Sequence, residues 1–526
     1  MWRKLSPLIL TGAGLLAYCN TFRVPFIFDD LNAITNNAHI RTLWPPWEAM
    51  ITPAQTPVAG RPVVSLSLAL NHAVSGLQPW SYHAFNLALH IANALLLLGI
   101  VRRTVRGERT DGTALAVALI WLVHPLLTGS VTYVVQRTEL LMALFFLLTL
   151  YCMIRGWEFG AVVASALGMG SKEVMAMAPL VVLLYDRMFL AGSFREALRQ
   201  RWRLYAALGA TWLVLVASIG GGARSTTVGI GFERITPLRY ALTQCGVIAH
   251  YLRLAVWPRP LALDYDDWPI AQSVADVWPA VGLVVALVAV TLWALWRKQR
   301  WGFLSAAFLL ILSPTSSFVP IVSEVAAEQR MYLPLAVVVA TIVFGVRVLV
   351  KDPLRRGVLV AVAVVGFGSM TVRRNGDYVS DLAIWSDTVA KRPNNARAQM
   401  SFGVALLERG KVDEASAHLR EAVRLKPGYG AAHDDLGAAL AKQDRLAEAI
   451  AEFREALRCE PNNARAHYNL GLALVKEGDP AGAVPQFAEA VRLEPDFARA
   501  SKQLASALAQ LGRTNETTRP LKERSP

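Results

Sequence analysis

Charged side chains are scarce in this chain. They make up 17% of its 526 residues, against about 25% in soluble domains, which argues against a water-soluble fold. Cysteine is scarcer still: Cys19, Cys152, Cys245 and Cys459 are scattered, without metal or redox spacing, which argues against disulfides and leaves the redox compartment open. A small-x-small cleavage site is also missing behind the first apolar run, Leu5 to Tyr18. With Arg3 and Lys4 before it, that run reads as an uncleaved anchor whose N-terminus stays inside.

What is abundant is apolar sequence. Hydrophobic residues reach 54% and the mean hydropathy is +0.37. Runs such as "FNLALHIANALLLLGIV", "LLMALFFLLTLYCMI", "AVGLVVALVAVTLWALW" and "AVVVATIVFGVRVLV" approach the roughly 20 residues that span a hydrocarbon core. The expectation is a polytopic membrane helix bundle. The net charge of +14 does not point to nucleic acid, because the basic residues cluster in short segments beside apolar runs. "RRTVRGER", "FREALRQRWR", "WRKQR" and "KDPLRR" read as cytoplasmic flanks under the positive-inside rule.

That rule orients the spans expected near 5–21, 83–101, 112–128, 139–154, 158–171, 174–190, 204–220, 279–296, 302–313, 333–350 and 357–372. Segments 22–82, 129–138, 172–173 and 221–236 then fall outside. The stretch 237–257 would put "RKQR" on the wrong face if it crossed. Arg239, Thr243, His250 and Arg253, with Gly246, form one polar helical stripe there, so it reads as an outer interfacial helix and leaves eleven spans. The alternative is a twelfth span whose polar face lines a cavity.

Near Thr371 the composition changes and a period appears. Pro393, Pro427, Pro461 and Pro495 are 34 residues apart, as are Gly403, Gly437 and Gly471, and Ala415, Ala449 and Ala483. Small residues where two helices touch, with proline stopping the second helix, make the tetratricopeptide pattern. The sequence holds three full repeats and a partial capping one. The fold class is therefore all-α: the membrane bundle followed by an α-solenoid.

The outer segments collect polar residues that a simple anchor does not need. Loop one carries Asp29, Asp30 and Arg61. "YHAFNLALH" places His83, Asn86 and His90 on one helix face. His124, Gln136, Arg137 and Glu139 follow, then Lys172 and Glu173 in "GSKE", and Glu324, Glu328, Arg330 and Tyr332 in "SEVAAEQRMYLP". A charge at the bilayer centre costs about 2.5–3.5 kcal/mol on insertion scales, so the set points to a shared polar site. Acids beside fixed cations suit transfer of a sugar from a lipid phosphate. Arg or Lys stabilises the departing anion, and a carboxylate takes the acceptor hydroxyl's proton. The acids are also suited to oxygen ligation of a divalent ion. Taken alone, Asp29 and Asp30 read more readily as an acidic turn ending an anchor.

In order, "FIFDDLNAITNNAHI", "GRPVVSLSLALN", "YHAFNLALH", "HPLLTGSVTYVVQR", "SKE", "AAEQRMYLP" and the repeat array resemble the transmembrane and tetratricopeptide-repeat O-mannosyltransferase family and its bacterial relatives, in the glycosyltransferase C class. The resemblance implies a polyprenyl- or dolichyl-phosphate sugar donor, inversion at the anomeric carbon and catalysis on the outer or lumenal face. It implies Asp29 as the catalytic base, with Asp30 assisting or contacting Mg or Mn, or the two acids in the reverse roles. It makes Arg330, Lys172 and Glu173 donor-phosphate candidates, with Arg137 and Arg61 behind them, and His83, Asn86, His90, His124, Glu328 and Tyr332 pocket residues. Gln329 stands between Glu328 and Arg330, where eukaryotic members join acid and arginine directly. In "LALDYDDW", Asp264, Asp266 and Asp267 either face the acceptor or form an exposed acidic turn.

The division expected is a glycosyltransferase-like domain over 1–372 with its catalytic loop at 22–82, a linker helix over 373–393 and repeats over 394–526. Mannose is the expected sugar, and Ser or Thr of a protein held by the repeats is the expected acceptor. A bacterial inner membrane with periplasmic repeats is the expected location, or the endoplasmic reticulum in a eukaryote. Two other readings stay open: a membrane-anchored scaffold for envelope assembly, and a transferase acting on glycolipid or surface polysaccharide.

Overall fold

The computed structural model describes residues 2–52, 56–105, 110–219, 235–321 and 324–512. The expected outer loop 221–236, but for its last two residues, and the last four residues of "RRTVRGER" lie outside the described residues. The described elements are helices, with no strand among them, and the chain divides into two compact units, Met1–Ser380 and Asp381–Pro526.

Four helices of the first unit are long and apolar enough to cross a membrane: Pro79–Thr104, Val134–Ile154, Val274–Trp296 and Pro353–Asp377. They differ in their surroundings. The first two are 56% and 78% buried along their most apolar stretch, the last two only 11% and 6%. Trp278, Leu292, Trp296, Val362 and Val365 are exposed on the latter pair. Such faces are stable against lipid tails, because a helix satisfies its own backbone hydrogen bonds.

The expected span at 112–128 is broken. Helix Asp111–Leu122 is followed by Pro125–Thr132 at an angle of 51°. The cause is local: Pro125 lacks an N–H and holds His124 extended, at ψ 126°. The His124 Nδ1 then accepts from Leu126 N–H at 3.2 Å and restarts the chain. Counting that pair as one crossing makes five. Other expected spans form shorter apolar helices, such as Glu158–Met169, Gly302–Leu312 and Pro334–Leu349. Twelve residues of helix reach about 18 Å, short of a hydrocarbon core of about 30 Å.

The segment 237–257 folds as the helix Pro237–Val256, started by Pro237 in its first turn and by the Thr236 side chain, which accepts from Arg239 N–H. Its inner face buries Tyr240, Thr243, Gln244, Val247 and Tyr251. Gln244 Nε2 donates to the Val325 carbonyl at 2.9 Å and Thr243 Oγ1 accepts from Ala271 N–H at 2.9 Å. Arg239 and Arg253 stay exposed.

The second unit repeats one helix pair. Ala396–Glu408 packs on Val412–Leu425, Gly430–Lys442 on Leu446–Cys459, and Ala464–Glu477 on Pro480–Leu493, with Ala498–Gln510 after them. The glycine spacing has a steric origin. A Cβ on Gly403 would lie 2.7 Å from Leu419, one on Gly437 2.7 Å from Phe453, and one on Gly471 2.6 Å from Phe487. Ala415, Ala449 and Ala483 are fully buried in the same seam.

Candidate active site

Loop one leaves the helix Trp2–Ala17 through a turn in which Thr21 Oγ1 donates to the Tyr18 carbonyl. It is then clamped from three directions. His83 Nε2 donates to the Val24 carbonyl at 2.9 Å. The Asp30 carboxylate accepts from Val135 N–H at 2.7 Å and from Ile27 N–H at 3.3 Å. Asp29 N–H donates to the Tyr133 hydroxyl at 2.9 Å, and that hydroxyl also hydrogen-bonds the Asp29 side chain. Between these anchors Phe28 adopts φ 47°, a left-handed conformation that is strained for a residue with a Cβ.

The adjacent acids therefore have different environments. Asp30 is fully buried. Burial pushes its carboxyl up to about 8, against the pull of its backbone donors, and the neighbouring Asp29 charge adds to the rise. Asp29 is only half-buried. Asp30 fastens the loop, and Asp29 is the more exposed of the two acids.

Behind them lies Arg137, also fully buried. Its Nε donates to Asn86 Oδ1 at 2.8 Å, Nη1 to the Ser67 carbonyl at 3.0 Å and Nη2 to the Tyr82 carbonyl at 3.1 Å, while its guanidinium stacks over Phe85. Asn86 Nδ2 in turn donates to the Val131 carbonyl at 3.2 Å. Arg137 thus ties the helices Pro62–Ser75 and Pro79–Thr104 to the turn 131–137. Arg330 is committed in the same way. It donates to the Thr315 and Val325 carbonyls at 3.0 and 3.1 Å and to the Glu324 carbonyl.

The remaining cations gather elsewhere. Lys172 pairs with buried Glu139, and Arg61 lies 4.0 Å from Glu173. Arg61 also acts electrostatically on Glu139, so these four residues form one group, in which Arg61 and Glu173 keep more exposure than Lys172 and Glu139. The pocket candidates form a separate lattice. His90 Nδ1 is 2.7 Å from the Tyr332 hydroxyl and its Nε2 2.9 Å from the Leu122 carbonyl. Asn93 donates to the same hydroxyl, and Trp121 Nε1 donates to the Tyr332 carbonyl. Glu328 accepts from Ala262 N–H at 2.7 Å and from the Tyr265 hydroxyl at 2.6 Å. His124 reaches the Ala255 carbonyl at 3.2 Å. Asp264 accepts from Asp266 N–H inside its own turn.

Several buried polar residues escaped sequence reasoning. Tyr133 lies inside a segment that drew attention for its charges. Asn375 ties Thr132 to the Ala17 carbonyl and Asn20, and Thr371 donates to the Val123 carbonyl. An asparagine and a threonine late in an apolar helix were the available signal.

Among the described residues no three His, Cys, Asp or Glu side chains gather as a metal site. Asp30 is fully buried and each of its oxygens accepts a main-chain N–H group. An apolar groove of about 750 Å³ begins beside the lattice at Leu333 and runs along Leu97, Phe146, Tyr185 and Phe344.

A TPR repeat family model matches residues 437–478, and a tetratricopeptide repeat model matches 373–430 and 468–516. Protein O-mannosyl-transferase TMTC4 of Mus musculus is 26% identical over 492 residues, covering 80% of this chain and 66% of that protein. Protein O-mannosyl-transferase F38B6.6 of Caenorhabditis elegans is 25% identical over 80% of this chain and 62% of its own length. Protein O-mannosyl-transferase TMTC2 of Mus musculus is 32% identical over 203 residues, 35% of this chain and 24% of that protein. The chain is a homologue of these transferases. It spans between a quarter and two thirds of their length. Among solved structures, MamA is 24% identical and covers 28% of this chain and 85% of its own, with a TM-score of 0.26.

Proposed function

We propose that this chain is a membrane glycosyltransferase that moves mannose from a polyprenyl-phosphate donor to a Ser or Thr hydroxyl of a protein. The observation that carries this reading is the division of labour between two adjacent acids, one locked by main-chain donors and one accessible beside a tyrosine, in a homologue of protein O-mannosyl-transferases.

In this reading Asp29 accepts the acceptor's proton as the hydroxyl oxygen bonds to the anomeric carbon from the face opposite the phosphate. The bond to the phosphate oxygen breaks with inversion, and polyprenyl phosphate leaves with the electron pair. Asp30 and Tyr133 position Asp29. Arg61, the more exposed cation of the group, and Lys172 receive the phosphate, with Glu173 and Glu139 beside them. The polyprenyl chain lies in the 750 Å³ groove. Eleven crossings, a bacterial inner membrane, a 1–372 catalytic domain with loop 22–82 and repeats over 394–526 that bind the acceptor polypeptide complete the proposal.

The test is transfer of labelled mannose from polyprenyl phosphate to Ser/Thr peptides by the full chain in nanodiscs. Asp29→Asn should lower turnover by about 10²–10⁴-fold while the protein stays folded. Undiminished transfer by this variant removes the acid from the reaction. The matches to tetratricopeptide models support a second reading, a membrane-anchored scaffold. It requires that the wild-type chain transfer no sugar to peptide or glycan while its repeats retain an envelope protein.

A further inference from the structure

A second apolar groove, of about 540 Å³, lies between the helices Thr110–Leu122, Pro334–Leu349 and Pro353–Asp377. That volume falls within the roughly 300–1,000 Å³ typical of small-ligand sites. Ala116 and Leu119 form one wall, Val343 the floor and Val360 the other wall, and no acid is among its described lining residues. Its charged lining residues are Arg347 and Arg356, both half-buried. Thr113 Oγ1 accepts from Arg347 Nη1 at 3.2 Å and holds that guanidinium at the mouth. The nearest acid in sequence, Asp352, is engaged elsewhere: it caps Leu354 N–H at 2.9 Å and lies 3.5 Å from Arg355.

An apolar trough ending in two arginines is complementary to an amphiphile with hydrocarbon tails and an anionic phosphate head. Its position identifies which one. Helix Pro334–Leu349 starts beside Tyr332 in the polar lattice and reaches Arg347 about 20 Å further along, at 1.5 Å per residue. The arginines therefore sit at the end of the bundle opposite Asp29, beside "KDPLRR", where a donor phosphate would be out of reach of the acid.

We propose that this groove is a binding site for an anionic glycerophospholipid of the leaflet opposite the catalytic end, with its acyl chain against Leu119 and Val360 and its phosphate between Arg347 and Arg356. Lipid binding here needs only that the bundle be embedded in lipid, whereas the choice of a resident phospholipid over the polyprenyl donor rests on the sugar-transfer reading.

The probe is the full chain in mixed phosphatidylglycerol and phosphatidylcholine micelles, with retained lipid weighed by native mass spectrometry. The wild type should retain phosphatidylglycerol about thirtyfold over phosphatidylcholine, from attraction of about 1 kcal/mol for each of the two arginines. Arg347→Gln/Arg356→Gln should lose that preference. Arg356→Gln alone, which leaves the Thr113 bond intact, should lose part of it with an unchanged helical circular dichroism spectrum. Equal retention of the two lipids by the wild type, an undiminished preference in both variants, or displacement of phosphatidylglycerol by equimolar polyprenyl phosphate would each overturn the proposal.

Discussion

The two units treat buried polar groups in opposite ways. In the first, each one is different: Asp30 on Val135, Arg137 on Ser67 and Tyr82, His90 on Tyr332, Asn375 on Ala17. In the second, one arrangement recurs. Gln399, His433 and His467 each bond a proline carbonyl six residues back, Pro393, Pro427 and Pro461. Each also bonds a side chain 19 residues ahead, His418, Glu452 and Gln486. A lattice of unlike contacts has one solution and fails as a whole. A linear array fails one repeat at a time, since its stability is nearly a sum of local and nearest-neighbour terms. The comparison teaches where a substitution should be catastrophic and where it should be graded.

The sharpest way to break it is Arg137→Met. The change keeps much of the volume and strands Asn86 Oδ1 and two carbonyls. Leaving buried partners of a charged donor unsatisfied costs about 3 kcal/mol or more, so the expected result is loss of folded protein in the membrane, read by fluorescence-detection chromatography. Arg137→Lys should not rescue it, because one ammonium cannot reach three acceptors placed for a planar fork. A monodisperse Met variant would mean that the lattice is not a single cooperative unit.

The matching insult in the array is Gly437→Val. Its side chain would overlap the Phe453 ring, and overpacking of this kind costs about 1–3 kcal/mol. Hydrogen exchange should rise over Gly430–Lys442 and Leu446–Cys459 while the helix Ala498–Gln510 stays protected. Phe453→Leu should recover most of the loss by making room. Equal loss of protection across all repeats would show that the array behaves as one block.

Legibility in the sequence follows the same divide. The array was open to reading because one steric need, a small residue opposite a large one, repeats 34 residues apart. The bend at His124 was written in the dipeptide His-Pro, although the segment reads as one span on hydropathy alone. Loop one announced its acids. It did not announce which was locked, because the deciding partners are the main-chain N–H groups of Ile27 and Val135, which no side-chain pattern records. The same blindness hid the main-chain carbonyls that Arg137 and Arg330 bond. A guanidinium in apolar sequence must find acceptors, and carbonyls exposed by broken helices serve as well as a substrate.

A smaller effect separates Asp30 from the surface acids. Its carboxyl sits near 8 when folded, raised chiefly by burial from an ordinary value of 3.8. Between those values the native state binds a proton that the unfolded chain has released, so stability falls as pH rises from about 4 to about 8. The slope is about 1.4 kcal/mol per pH unit for one proton. Asp30→Asn should flatten that part of the profile in nanodisc thermal melts from pH 5 to 8, and a slope equal to wild type would place the titration elsewhere.

The smallest expected effect tests the array's recurring latch. Only its middle copy pairs an ionisable donor with a carboxylate: His433 Nδ1 lies 2.6 Å from Glu452, which holds the imidazole above its usual value of 6.5. A raised histidine contributes stability that is fully present below its unfolded value and is lost as pH climbs through the folded one. Partly exposed pairs are worth about 0.2–1 kcal/mol, so only the second repeat should loosen, by a few-fold faster exchange at pH 8 than at pH 6 after correction for intrinsic rates. His433→Gln with Glu452→His copies the Gln399–His418 latch of the first repeat and should erase the difference. If the swap leaves it in place, the pH response belongs to Asp435, whose carboxyl burial pushes up to about 6 beside Arg465. The boundary between the second and third repeats, where Arg465 bridges back to Asp434 and Asp435, would then be the weak joint of the array.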